Sequence, residues 1–179
     1  MSARSRFTPV ILTLLTFAAV QAPLPAQETA LDDPTIVAIF DAANTADIET
    51  GKLAAERGAS DAVRQFGAML ARDHQMVRQQ GRDLAKKLGV TPTPPADQSG
   101  AQAHAAAMQK LSKLRGSDFD RVFLQHEERF HREVIAAIKT TLLPAIKNQE
   151  VRELVVKVAP AFQAHMEMAQ NLSRQLATK

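Results

Sequence analysis

The sequence predicts an all-α protein whose long helices pack as a bundle of four. Three observations carry this. Ala, Leu, Gln, Arg and Lys are abundant, residues that lose little rotamer freedom in a helix, and only 7 of 179 residues are glycine. Apolar residues recur at three- and four-residue steps along four long stretches. No stretch of useful length alternates apolar and polar residues as a half-buried strand would.

The first long helix is expected to begin at Asp33-Pro34, an N-cap acid followed by a proline where no amide donor is needed. It runs through Phe40, Asn44, Asp47 and Gly51 to about Arg57. Gly58 and Ser60 make a turn. Ser60 caps a second helix carrying Val63, Phe66, Leu70, His74, Val77, Leu84 and Leu88, which Gly89 stops. A polar, proline-rich connection follows, 91–100, then a short helix from about Gln102 to Leu114, closed by Gly116. Ser117 or Asp118 is the expected cap of the third long helix, whose stripe is Phe119, Phe123, Phe130, Val134 and Ile138. The fourth carries Val151, Leu154, Val155, Val158, Phe162, His165, Ala169, Leu172 and Leu176. Pro144 falls in a last turn, while Pro160 is expected to kink the fourth helix before His165. Short turns make the first two and the last two long helices antiparallel neighbours. One long crossover between two such hairpins is the ferritin-like variant of the four-helix bundle.

Residues 1–26 read as a secretory signal peptide rather than as part of the fold. Arg4 and Arg6 precede an apolar run from Val10 to Val20, and the breaker-rich QAPLPAQ follows. The run is short of the ~20 residues a membrane span needs. Cleavage is expected after Ala26, with the bond after Ala22 as the alternative. The remainder, 27–179, is one domain's worth of chain, destined for the periplasm or secretion, with no further span and a real core to bury. There is no cysteine, which excludes disulfides, thiol catalysis and a lipid-modified cysteine. Removing the two signal arginines from 22 Lys+Arg leaves near balance with 19 acids, so there is no nucleic-acid footprint. Trp and Tyr are absent, and with them the usual stacking platforms.

His74, His131 and His165 each fall near the middle of a long helix, so they share a level in the bundle whichever way each helix points. Asp47 lies at that level on the first helix. At ~100° per residue, Asp47 is about 20° and Asn44 about 40° from Phe40, both inward. Glu49 falls on the opposite side. Glu127 is about 40° from Phe123 and one turn before His131, aimed at the core more directly than Glu128. His126 lies at the edge of that face and His104 in the short helix. Buried carboxylate and imidazole need partners, and this nitrogen and oxygen set suits Zn, Fe, Mn or Cu. The expected ligands are therefore Asp47, His74, His131, His165 and Glu127. The alternative is a hydrogen-bonded polar layer with no metal. A di-iron enzyme would need a Glu from each of two helices and Glu-x-x-His on each of the other two. Here Ala71 and Phe162 stand three residues before His74 and His165. Met69, Met76, Met166 and Met168 flank the histidines and would suit copper, although methionine is also an ordinary core filler. Asp73 is expected in a surface pair with Arg72 or Arg78 rather than orienting a neighbour. No phosphate-cradling or dinucleotide motif occurs.

The segments ADIETGKLA (46–54), VRQFGAMLARDH (63–74), GSDFD (116–120) with His131 beyond it, and PAFQAH (160–165) resemble the bacterial domain of unknown function 4142 family. The resemblance spans about Pro34 to Leu176. It implies an exported, ferritin-like protein with Asp47, Asp73, His74, His131 and His165 at the family's polar positions. Phe123, where tyrosine is usual, and Glu127, usually apolar, depart from the pattern. No reaction is implied. The function these readings favour is metal handling or envelope stress through a mid-bundle His/Asp site. The alternative is a non-catalytic structural or interaction protein, and an oxidoreductase is weaker still for want of carboxylates.

Overall fold

A computed structural model describes residues 31–178. The expected signal peptide, 1–26, lies outside the described residues. The elements are α1 (Asp33–Arg57), α2 (Asp61–Leu88), α3 (Ser99–Lys113), α4 (Gly116–Ala137), a π-helical turn (Ile138–Leu142), the short α5 (Leu143–Ala145) and α6 (Gln149–Ala177). No strand occurs among the described residues.

The chain forms two helical hairpins, α1–α2 and α4–α6, packed against each other. The α1–α2 contact is close because glycine faces glycine. A Cβ on Gly67 would stand 2.6 Å from the Gly51 carbonyl oxygen, and one on Gly51 2.7 Å from that of Gly67. Each hairpin turn is tied to the other hairpin by a carboxylate. Asp120 of α4 accepts the Ala59 and Ser60 amides at 2.8 and 2.9 Å. Asp33 accepts the Lys147 and Asn148 amides at 2.9 Å each.

Several boundaries differ from expectation. Asp32, not Asp33, caps α1, accepting the Thr35 amide at 2.9 Å, which frees Asp33 for its long-range role. Ser60 and the left-handed Gly89 start and stop α2 as expected. The crossover helix α3 begins at Ser99 rather than Gln102. Neither Ser117 nor Asp118 caps α4, which starts at Gly116 after Arg115 with no side-chain cap. A π-helical turn precedes Pro144, easing the backbone toward a residue that cannot donate. Pro160 lies inside α6 without ending it.

The apolar core is split. One cluster, with Ile36, Phe40, Ala85, Ile138, Val155 and Phe162, fills one end. A second, with Ala54, Phe66, Leu70, Phe119, Phe123 and Ala169, fills the other. Between them all four long helices place polar residues: Asn44, Asp47 and Thr50; His74; Glu127 and His131; His165.

Candidate metal centre

In each long helix the apolar stripe is interrupted at one height, and the interrupting side chains meet. His131 and Glu127 are wholly buried, Asp47 and His74 are 1% exposed and His165 is 4% exposed. The ring centroids of His74, His131 and His165 are 5.0 to 5.6 Å apart. Phe162 lies edge-on to His74 at 5.0 Å, walling the cluster on the side of the first apolar cluster. Each of the three rings has a nitrogen within 4.8 Å of the other two, and Asp47, Glu127 and His131 form a second such group. All five residues expected as ligands are therefore brought together.

Hydrogen bonds on the outer side of the His74 and His131 rings set their tautomers. Asn44 donates its amide to the Phe40 carbonyl at 2.8 Å, so its Oδ1 accepts His74 Nδ1–H at 2.9 Å. His131 Nδ1–H donates to the Glu127 backbone carbonyl at 2.9 Å. His165 Nε2 faces Asp73 Oδ2, 3.3 Å away. Burial, reinforced by the neighbouring imidazoles, pushes His74 down to about 2 and His131 to about 3. Burial also lowers His165. Neutral rings carry one proton each; those of His74 and His131 lie on the outside, while that of His165 can sit on Nε2 toward Asp73 or on Nδ1 toward His74 Nε2. The inward atoms His74 Nε2 and His131 Nε2 are therefore lone pairs, and His165 Nδ1 is the third inward nitrogen.

These nitrogens face one another and a carboxyl group. His74 Nε2 lies 3.1 Å from His165 Nδ1 and 3.4 Å from Asp47 Oδ2. His131 Nε2 lies 3.9 Å from Asp47 Oδ1. Among the described residues, no hydrogen-bond partner reaches His131 Nε2 or any carboxylate oxygen of Asp47 and Glu127. Burial first, then the neighbouring Glu127 charge, raises Asp47 well above the usual carboxylate range. Burial pushes Glu127 up to about 7. Two adjoining buried carboxyls facing imidazole nitrogens need either a proton held between them or a cation in its place.

Other candidates fall away from the cluster. Glu49 is exposed and pairs with His104 at 2.7 Å. Glu128 bonds Arg132 and Gln170, away from the centre as expected. His126 is partly buried, with burial pushing it down to about 4. Met69 packs in the second apolar cluster as a core filler, while Met76 and Met168 are exposed, away from the histidine cluster. Asp73 pairs with Arg72 at 2.9 Å, as expected, and in addition contacts His165. Its place one residue before His74, on the shoulder of the stripe, was the signal for that contact. A groove of about 750 Å³ between α1, α4 and the crossover is lined by Ala46 and Phe130, the neighbours of Asp47 and His131.

Fold and site together define an all-helical domain with a buried histidine–carboxylate cluster at mid-height. The family described as domain of unknown function (DUF4142) matches residues 18–172, and the chain belongs to it. A crystal structure of a DUF305 fragment from Deinococcus radiodurans is similar, with a TM-score of 0.68 at 20% identity over 79% of this chain and 95% of that one. That likeness shows the fold. No curated protein matches the sequence.

Proposed function

We propose that this is an exported, ferritin-like helical-bundle protein that holds a divalent transition-metal ion through His74, His131, His165 and Asp47, with Glu127 as a fifth donor. Metal handling or envelope stress is the role that suits such a protein. The convergence of three imidazole nitrogens on a buried carboxyl that no donor among the described residues reaches carries the reading. Two metal–ligand bonds of ~2.1 Å meeting near ~100° leave their donor atoms about 3.2 Å apart. The 3.1 and 3.4 Å separations around His74 Nε2 are close to that. Three imidazoles with carboxylate oxygen suit Zn, Fe, Mn or Cu(II), and two carboxylates neutralise a divalent charge. In a layer without metal, Asp47 and Glu127 would have to keep a proton between them, which a divalent cation would displace. Export rests on the basic, apolar and breaker order of residues 1–26. The ferritin-like reading rests on two hairpins joined by a long crossover.

Elemental analysis of untagged protein, with melting curves in added Zn, Cu, Mn and Fe, tests this. At a hundredfold excess over Kd, ~2.7 kcal/mol of linkage should raise Tm by about 5–10 °C. His165→Gln should abolish the rise. Metal-free protein with an unmoved Tm would sink the proposal.

A further inference from the structure

One residue outside the ligand set decides whether the cluster can stay open to a cation. His74 Nε2 and His165 Nδ1 are 3.1 Å apart, an ordinary hydrogen-bond distance. Two neutral imidazoles so placed would satisfy each other if one proton lay between them. The His74 proton is committed to Asn44 on the other side of the ring, and the Asn44 amide is itself fixed by Phe40. The proton that could close the gap is therefore the one on His165, if it moved from Nε2 to Nδ1. Asp73 Oδ2 stands 3.3 Å from His165 Nε2. With the proton on Nδ1, the ring would turn a lone pair on that carboxylate, and the half-buried Asp73 would lose its imidazole partner. Arg72 holds the other Asp73 oxygen at 2.9 Å, so the carboxylate is aimed rather than free to turn away.

We propose that Asp73 is a positioning residue for the metal centre: by accepting His165 Nε2–H it keeps the Nδ1 lone pair turned inward and prevents His74 and His165 from closing on each other. This rests on the metal-binding reading. Carboxylate partners of ligand imidazoles fix tautomer and ring orientation in this way, and their loss typically costs 10- to 100-fold in affinity. Without Asp73, an entering cation would have to break a buried hydrogen bond between two of its own ligands. Asp73 is the most exposed member of this shell, its side chain 26% accessible against 6% for His165, so it can be changed without opening the core.

The test compares wild type, Asp73→Ala and Asp73→Asn as full-length apo protein near neutral pH. Imidazole ¹⁵N shifts read the tautomer, competition with a chelator reads Zn²⁺ affinity, and Tm reads the fold. Wild-type His165 should carry its proton on Nε2. In Asp73→Ala the proton should move to Nδ1 and Zn²⁺ affinity should fall about 10- to 100-fold, with the apo Tm unchanged or raised. Asp73→Asn keeps an acceptor oxygen and should retain the Nε2–H tautomer and most of the affinity. An Nδ1–H tautomer in the wild type would overturn the inference, as would Asp73→Ala binding Zn²⁺ as tightly as wild type. Asp73→Asn losing affinity alongside Asp73→Ala would also overturn it, because that pattern belongs to charge attraction. A wild type that binds no Zn²⁺ would refute metal binding by this probe, and the ¹⁵N shifts would still decide what Asp73 does to His165.

Discussion

Glu127 shows how a single side chain sets the behaviour of this core. It is fully buried, no hydrogen-bond partner reaches its oxygens, and burial holds it near 7. An acid raised in the folded state binds more protons than in the unfolded chain, so its contribution is lost as pH rises through the folded value. His74 and His131, lowered to about 2 and 3, act oppositely. They contribute stability that grows as pH rises toward the unfolded histidine value of about 6.5. With His165 also lowered, three histidines outweigh the two acids below that pH. Above it the histidines add nothing more, and Glu127, up to about 7, and Asp47 lower the stability. Metal-free protein should therefore be most stable near pH ~6.5 and lose stability on both sides. Urea midpoints from pH 4 to 9 check this, and a profile rising steadily to pH 9 would refute it. Glu127→Gln should steepen the rise between about pH 4.5 and 7, where Glu127 offsets the histidines, and change little above 7, while weakening metal binding, seen by repeating the series with and without Zn²⁺.

Among the elements, α1 and α2 depend on the missing side chains of Gly51 and Gly67. The nearest obstacles to a Cβ on either are main-chain atoms of the other helix, which cannot swing aside. Gly67→Ala should cost about 1–3 kcal/mol by overpacking and weaken metal binding, because Asp47 on α1 and His74 on α2 would be pushed apart. Calorimetry and a Zn²⁺ titration on the same sample check both, and an alanine variant matching wild type would show that the helices tolerate separation. The turn staples make a different prediction. Asp120 is 3% exposed and serves two backbone amides, so Asp120→Ala leaves two donors short. It should cost about 2–4 kcal/mol, with faster amide exchange at Ala59 and Ser60. Unchanged protection at those amides would show that the turn stands without it.

Taken whole, the molecule is two apolar cores separated by a polar slab. Such a slab is a burden when unfilled, since buried carboxylates without partners oppose folding. Replacing Asp47 and Glu127 together by leucine should raise the Tm of metal-free protein and remove any response to metal. A double variant less stable than apo wild type would mean that the slab is already satisfied without a cation. The long helices remain individually amphipathic around the slab, so metal removal should loosen the middle of the bundle without melting its helices. Far-ultraviolet circular dichroism, with hydrogen exchange at residues flanking His74 and His131, separates those two effects.

Much of this was legible in the sequence because helices obey a fixed period. The apolar stripes, Ser60, Gly89 and the mid-helix histidines established the long helices and one shared height, and ~100° per residue turned Asn44, Asp47 and Glu127 inward while setting Glu49 outward. Periodicity is local, however, and carries no information across the bundle. That Asp33 and Asp120 would cross to staple the opposite hairpin's turn, that Gly51 would meet Gly67, and that Asp73 would reach His165 depends on which helices become neighbours and at what rotation. The tautomers belong to the same class, since each proton's place is set by an acceptor that only packing supplies. The amino-acid sequence alone determined an all-helical chain with three histidines and two acids at one level. The tertiary structure decided that their nitrogen and oxygen atoms converge, because only assembled helices bring donors and acceptors from distant positions within hydrogen-bonding reach.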